Sequence, residues 1–199
     1  ITSKGFPFLY DISQKQSILG KRFRWGGYLL TGTQVNNIAH FTYLDFKDLA
    51  EKDGDIAGLR EIGFTLKAIQ WHKETSIYIN RIQNFNAEGT EDFTLTDAFI
   101  GSIRPMETNY GCQHPDSVLV NSRNLYYWDN IEGKLIRSAP NGQLAISGPE
   151  YKMNRWFKDL GKWIIANGGA QKLNVRLGFN VEHNELWCVF IIDDEVYGV

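Results

Sequence analysis

Residues 116–146, DSVLVNSRNLYYWDNIEGKLIRSAPNGQLAI, divide into four short apolar segments separated by the polar turns Asn121-Ser122-Arg123-Asn124, Asn130-Ile131-Glu132-Gly133 and Pro140-Asn141-Gly142. Such even spacing predicts one four-stranded antiparallel meander. Each segment is about four to six residues long, enough to cross a sheet once, and Gly133 and Gly142 supply the positive φ that tight hairpins need. A sheet this small cannot bury its own faces. It requires packed neighbours, as the blades of a β-propeller do.

Similar patterning recurs on both sides. Ile56–Ile62, Phe64–Trp71 and Ser76–Ile79, cut by Gly63 and His72-Lys73-Glu74-Thr75, predict a three-stranded meander. Residues 84–97 are polar and interrupted by Gly89, with Phe85, Phe93 and Leu95 as anchors, and read as a long loop or a protruding strand pair. After the turn Glu182-His183-Asn184-Glu185 and again after Asp193-Asp194-Glu195, strands resume to the end. Val175, Leu177 and Phe179 alternate as in a half-buried strand, whereas LWCVFII, residues 186–192, reads as buried on both faces.

One segment changes period. Ser147-Gly148-Pro149-Glu150 matches a capping box with proline in the first turn. Met153, Trp156, Phe157, Leu160, Trp163 and Ile164 follow at helical spacing, and Asn167-Gly168-Gly169 ends the run. A helix over about 149–166 is therefore expected, its aromatic stripe laid on a sheet, with an exposed partner surface as the alternative. Upstream, residues 1–34 carry a strand-like Phe6–Asp11 and an apolar run Arg24–Leu30, and residues 41–50 read as a short helix or turn. The fold class expected is mainly β: antiparallel meanders arranged as all or part of a β-propeller, with one amphipathic helix. Residues 1–53 form an N-terminal section and 54–199 the blades.

At 199 residues with 43% hydrophobic and 14% aromatic content, the chain can bury a sizeable core. A net charge of −2 provides no global basic field, so nucleic acid is not an expected partner. Cys112 and Cys188 stand far apart outside any CxxC pair, which favours two separate thiols. No apolar run reaches the ~18 residues of a membrane helix, and no Asn-x-Ser/Thr site or signal peptide is legible. The start at Ile1 and the stop at Val-Tyr-Gly-Val, inside a strand pattern, read as a piece of a longer polypeptide with room for roughly three blades.

The order of CQHPDSV at residues 112–118, LYYWD at 125–129, EGKLIRSAPNG at 132–142 and ISGPEYKMNRWF at 146–157, preceded by GDIAGLREIGFTLKAIQWHKETSIYI at 54–79, resembles a known pattern. It is similar to propeller-like tail proteins, of the stabilisation or muzzle type, in short-tailed bacteriophages of gut Bacteroidetes, the crAss-like group. The resemblance covers about two thirds of the chain and rests on packing and turn residues. It implies a virion structural component, made in a bacterial host's cytoplasm, that packs in a ring with other tail subunits and with copies of itself. Members of that group are much longer.

Candidate chemistry is sparse. Cys112, His114 and Asp116 lie close in sequence, but structural zinc needs four donors at paired spacings, so a turn into a strand is the preferred reading. Glu91-Asp92 and Asp193-Asp194-Glu195 lack the alternating frame of a calcium loop. Asp129 and Glu132 sit at a hairpin tip, where turn formation accounts for both. No catalytic residue, cofactor or metal ligand is therefore assigned. Lys21, Arg22 and Arg24 beside Trp25 make a cationic, aromatic group whose plainest reading is a solvated strand edge with one ring folded inward. Arg22, Trp25, Phe85 and Phe93 are the candidate partner contacts, because aromatic and arginine side chains dominate interface energetics. A cell-surface glycan is the alternative partner, with Trp25, Trp71 or Trp128 stacking on sugar rings.

Overall fold

In the central meander the side chains alternate between two faces, and both faces are covered. The computed structural model describes residues 18–27, 29, 31–32, 34, 36–85, 91–140, 142–166, 173–192 and 195–198. The readings at Phe6–Asp11, Asn167-Gly168-Gly169 and Asp193-Asp194 lie outside the described residues. The meander itself comprises β7 (Leu119–Asn121), β8 (Asn124–Asp129), β9 (Lys134–Ala139) and β10 (Gly142–Ala145), paired antiparallel in the order β10-β9-β8-β7. Gly133 and Gly142 adopt φ of +59° and +127°, as the turns require, while Ser122 takes the left-handed position of the first turn.

Ahead of it lies a four-stranded sheet of β3 (Ile56–Ile62), β4 (Thr65–Gln70), β5 (Glu74–Phe85) and β6 (Glu91–Pro105), in chain order. The three-stranded expectation falls one strand short, and the strand pair, not the loop, is what the described residues of 84–97 form. The sequence hides this because the ladder slips twice, between Ile77 and Ile79 and between Ile79 and Arg81. With Asn80 at φ +53°, the alternation of faces is broken in mid-strand. After the helix come β11 (Leu173–Asn180), β12 (Glu185–Ile192) and β13 (Glu195–Gly198), a three-stranded antiparallel sheet. In β12, Cys188 and Phe190 point inward and Trp187 is 55% exposed, so this strand is half-buried rather than covered on both faces.

The first section pairs β1 (Arg22–Arg24) with β2 (Phe46–Asp48). Residues 41–50 therefore contain a strand, not a helix. Its approach is a turn in which the Asp45 carboxylate accepts the Thr42 N–H at 2.9 Å, and a 3-10 turn at Glu51–Asp53 follows. The apolar run Arg24–Leu30 contributes only its first residue to β1, with Leu29 bridging to Asn36.

Three apolar clusters stack these layers. Leu125, Tyr127 and Ile136 face β3–β6 and meet Ile62, Ile69, Cys112 and Val118. One residue along, on the opposite face, Trp128 and Leu135 meet Phe157, Ile164, Val175, Cys188 and Phe190. The far face of the first sheet packs Ala68 and Ile77 against Phe23 and Leu49. The period of two in β8 thus joins one sheet to two neighbours. Among the described residues the sheets do not close into a propeller.

Helix α1 spans Asn154–Ala166, shorter than expected. Pro149–Tyr151 forms a separate 3-10 turn, and Lys152 at φ +61° interrupts the two. The capping box does not form, because the Ser147 hydroxyl instead accepts the Leu135 N–H at 2.9 Å. The aromatic stripe divides: Phe157 and Ile164 are buried, while Met153, Trp156 and Trp163 are exposed along one flank. Gly161 lets the helix lie directly on the β8–β9 turn; a Cβ there would stand 2.8 Å from Gly133 Cα.

Candidate interaction surface

Where the first and central sheets face one another, a carboxylate sits with no exposed surface. Glu74, the first residue of β5, accepts from Lys67 Nζ at 2.9 Å, Ser138 Oγ at 2.7 Å, Tyr127 Oη at 3.1 Å and Gln143 Nε2 at 2.6 Å. Lys67 also donates to Ser76 Oγ at 2.8 Å. The donors come from β4, β8, β9 and β10, so one side chain ties two sheets together. Burial, then the neighbouring Glu74 carboxylate, pushes the Tyr127 hydroxyl well above its ordinary pKa, keeping it a donor. With every oxygen engaged and no solvent access, this group is a fastener. Sequence reading missed it: Lys67 and Glu74 looked like a strand residue and a turn residue. The legible signal was a lysine inside the apolar run Leu66 to Ile69.

Beyond this junction the first sheet narrows. β4 pairs with β5 only as far as Tyr78, opposite Thr65, whereas β5 and β6 remain paired out to Phe85 and Glu91. Residues 79–85 and their β6 partners therefore form a two-stranded ribbon, which turns at Asn80 and folds back along β6: the Gln83 N–H donates to Ser102 Oγ at 3.0 Å, and Arg104, opposite Ser76 in the ladder, reaches the Phe85 ring. Apolar and polar side chains both meet solvent on it: Ile82, Phe85, Phe93 and Leu95 are exposed, Leu95 by 78%, and so are Asn84, Asp92 and Thr94. Buried polar atoms on it, Asn80 Oδ1 and Gln83 Nε2, have no hydrogen-bond partner among the described residues. At its root opens a cleft of about 390 Å³ lined by Phe64, Lys67, Tyr78, Arg81, Phe93 and Arg123. The Arg81 guanidinium lies over the Phe64 ring, 4.1 Å from its centroid.

Two of the four candidate contacts, Phe85 and Phe93, fall on this ribbon. Arg104 covers the Phe85 ring at 4.6 Å, and Phe93 packs on Tyr78 with centroids 5.3 Å apart. Arg22 and Trp25 lie elsewhere. Arg22 forms a bidentate pair with Asp48 at 2.6 and 2.7 Å and spans the Phe46 ring, so its charge is engaged inside the β1–β2 ladder. Asp48 is held below the usual carboxylate range by that hydrogen bond. Trp25 stacks on Phe99 at 5.7 Å and is half-buried, the ring-inward arrangement expected for this edge. Of the tryptophans considered for sugar stacking, Trp71 is 42% exposed, but Trp128 is fully buried, edge-on to Phe190 at 5.0 Å. Trp128 is a core residue.

The remaining candidates behave as turns. Asp129 accepts N–H groups of Ile131, Glu132 and Gly111 at 2.9–3.1 Å, binding its own hairpin to the preceding loop. Burial raises its pKa, with those N–H groups opposing the rise. Cys112 Sγ contacts the His114 carbonyl and Ser117 Oγ, while Asp116 is exposed and 3.8 Å from Arg176. The three groups do not converge, and no cluster of three metal-binding side chains occurs among the described residues. Cys112 and Cys188 are free thiols in different clusters, raised by burial to about 11 and about 12. The exposed helix flank of Met153, Trp156 and Trp163 is a second surface; its spacing was visible in the sequence, but which members would stay outside was not. No protein-family model matches the chain, and neither does any curated protein.

Proposed function

We propose that this chain is a structural component of a bacteriophage virion tail, whose blade-like sheets act as rigid scaffold and whose exposed apolar edges hold neighbouring subunits in a ring. The ribbon formed by the outer halves of β5 and β6 carries this reading. Two strands without a third are marginal in water, and this pair exposes Ile82, Phe85, Phe93 and Leu95 at its sides. Cover by another subunit would remove that apolar surface from water. The internal charges support the same view, since Glu74 and Lys67 are consumed in fastening sheet to sheet. The stacked layers read as adjoining blades of a propeller arc.

Native mass spectrometry and electron microscopy of the purified chain test the proposal: symmetric particles of several copies are expected. A second reading, a glycan-binding module, draws on the cleft beside Tyr78 and Phe93, where aromatic rings adjoin Arg81 and Arg123. A monomer that binds a glycan array through that cleft would replace the scaffold reading.

A further inference from the structure

The cleft at the root of the ribbon is lined from both sheets, Arg81 entering from the ribbon and Arg123 from the turn between β7 and β8. Neither guanidinium has a hydrogen bond or ion pair to a described residue, and Arg81 rests only on the Phe64 ring, which leaves its N–H edge open. Lys67 also lines the cleft, but Glu74 answers its charge. No carboxylate lines it among the described residues. The acidic positions on the surrounding elements lie outside. Glu61 pairs with Leu66, on the face of the first sheet that packs against Phe23 and Leu49. Asp92 is out of phase with Phe93, on the ribbon face that carries the bonded Asn84 and Thr94 side chains. Glu91 stands opposite Phe85 at the end of the ladder, and Asp97 falls in the register slip between Leu95 and Ile100. Glu107 borders the adjoining groove together with Arg104, so that groove is balanced in charge. The cleft itself is left with two open arginines.

The rest of the lining suits a ring that bears hydroxyl groups. Phe93 is 40% exposed and Phe64 72%, so aromatic surface is open at the mouth, while Thr65 and Tyr78 add hydroxyls to the walls. A volume of about 390 Å³ falls within the range of small-ligand clefts and is short for a run of stacked bases. We infer that this cleft binds an acidic saccharide, the carboxylate of a uronic or sialic acid unit taken between Arg81 and Arg123 and its ring laid against Phe93. The paired N–H groups of a guanidinium match the two oxygens of a carboxylate, and the apolar face of a sugar ring packs on an aromatic one. The combination selects the class: arginines alone would serve any anion, and rings alone any sugar. This rests on the glycan reading of the cleft, names its ligand, and holds for one copy or for an assembled ring.

Isothermal titration calorimetry of the full chain at about 50 mM salt tests it with trigalacturonate and sialyllactose, each against an uncharged counterpart, the trigalacturonate methyl ester and lactose. At least one acidic sugar should bind, about tenfold or more tightly than its counterpart. Arg123→Ala, in an exposed turn, and Arg81→Met, which keeps an apolar stem beside Phe64, should each weaken that binding about tenfold or more. Arg155→Ala, on exposed helix surface away from the cleft, should leave it within about twofold. Circular dichroism confirms that each variant is folded, and Arg123→Ala decides the matter if Arg81→Met is not. Acidic and neutral sugars that bind alike, and lose affinity alike in the arginine variants, overturn the acidic class and leave the glycan reading standing. Failure of every sugar to bind up to about 10 mM removes both. Binding that ignores both arginine substitutions overturns the site, as does inorganic sulfate bound as tightly as the acidic sugar, or a single-stranded oligonucleotide bound more tightly.

Discussion

Glu74 shows how much one side chain contributes when four elements converge on it. Replacing it with alanine leaves the Lys67 ammonium buried without a counter-charge, at a cost of about 3 to 5 kcal/mol in urea unfolding. Pairing Glu74→Gln with Lys67→Met removes both charges while the amide oxygen still accepts from Tyr127 and Gln143 and the amide NH2 donates to the Ser138 hydroxyl, and should recover about half of that loss. A cost below about 1 kcal/mol for the alanine variant would show that the junction does not bind the sheets. His114 supplies the pH dependence. Burial lowers its pKa from 6.5 to about 4, so the fold holds it neutral while the unfolded chain protonates it first. Its contribution is complete above pH 6.5 and is lost as pH falls toward 4, by up to about 3 kcal/mol. Asp129, raised by burial, titrates with the opposite sign. The readout is therefore the difference between the parent and His114→Gln, whose stability should fall less steeply between pH 6.5 and 4.

Among elements, α1 and the ribbon make different demands. α1 is held close to the central hairpin by an absent side chain: Gly161→Ala would drive its Cβ to 2.8 Å from Gly133 Cα, backbone that has nowhere to yield. About 1 to 3 kcal/mol of stability should be lost, read as a lower melting temperature. Gly178→Ala on β11 meets nothing within 4 Å and should change stability by less than about 0.5 kcal/mol. The ribbon is expected to be dispensable for folding. Replacing residues 83–93 with Asn-Gly joins Ile82 to Thr94, which already face each other across the ladder. The shortened chain should unfold within about 1 kcal/mol of the parent and be recovered as a monomer by light scattering. Retained assembly would show that the ribbon does not hold the neighbour.

For the whole molecule, the layered stack follows from the period of two in β8. Leu125 and Tyr127 enter one interface, while Tyr126, stacked on Phe179, and Trp128 enter the next. Both the meander at 116–146 and its need for neighbours were legible, because hairpin glycines and alternating apolar residues are local signals read along the chain. The helix was legible for the same reason, and so were the free thiols, the turn role of Asp129 and the inward ring of Trp25. The Glu74 junction was not, since its four donors come from strands as far as Gln143, which only packing brings into range. Nor was the continuation of β5 and β6, where two register slips erase the alternation. Capping by Ser147 failed because a neighbouring strand's N–H claimed its hydroxyl, and the alternative of sugar stacking admits Trp128 beside Trp25 and Trp71 only because residue type does not say which face is covered. Local order along the chain specified the elements; which of their faces met, and which were left to water, was settled by long-range burial that no window of sequence contains.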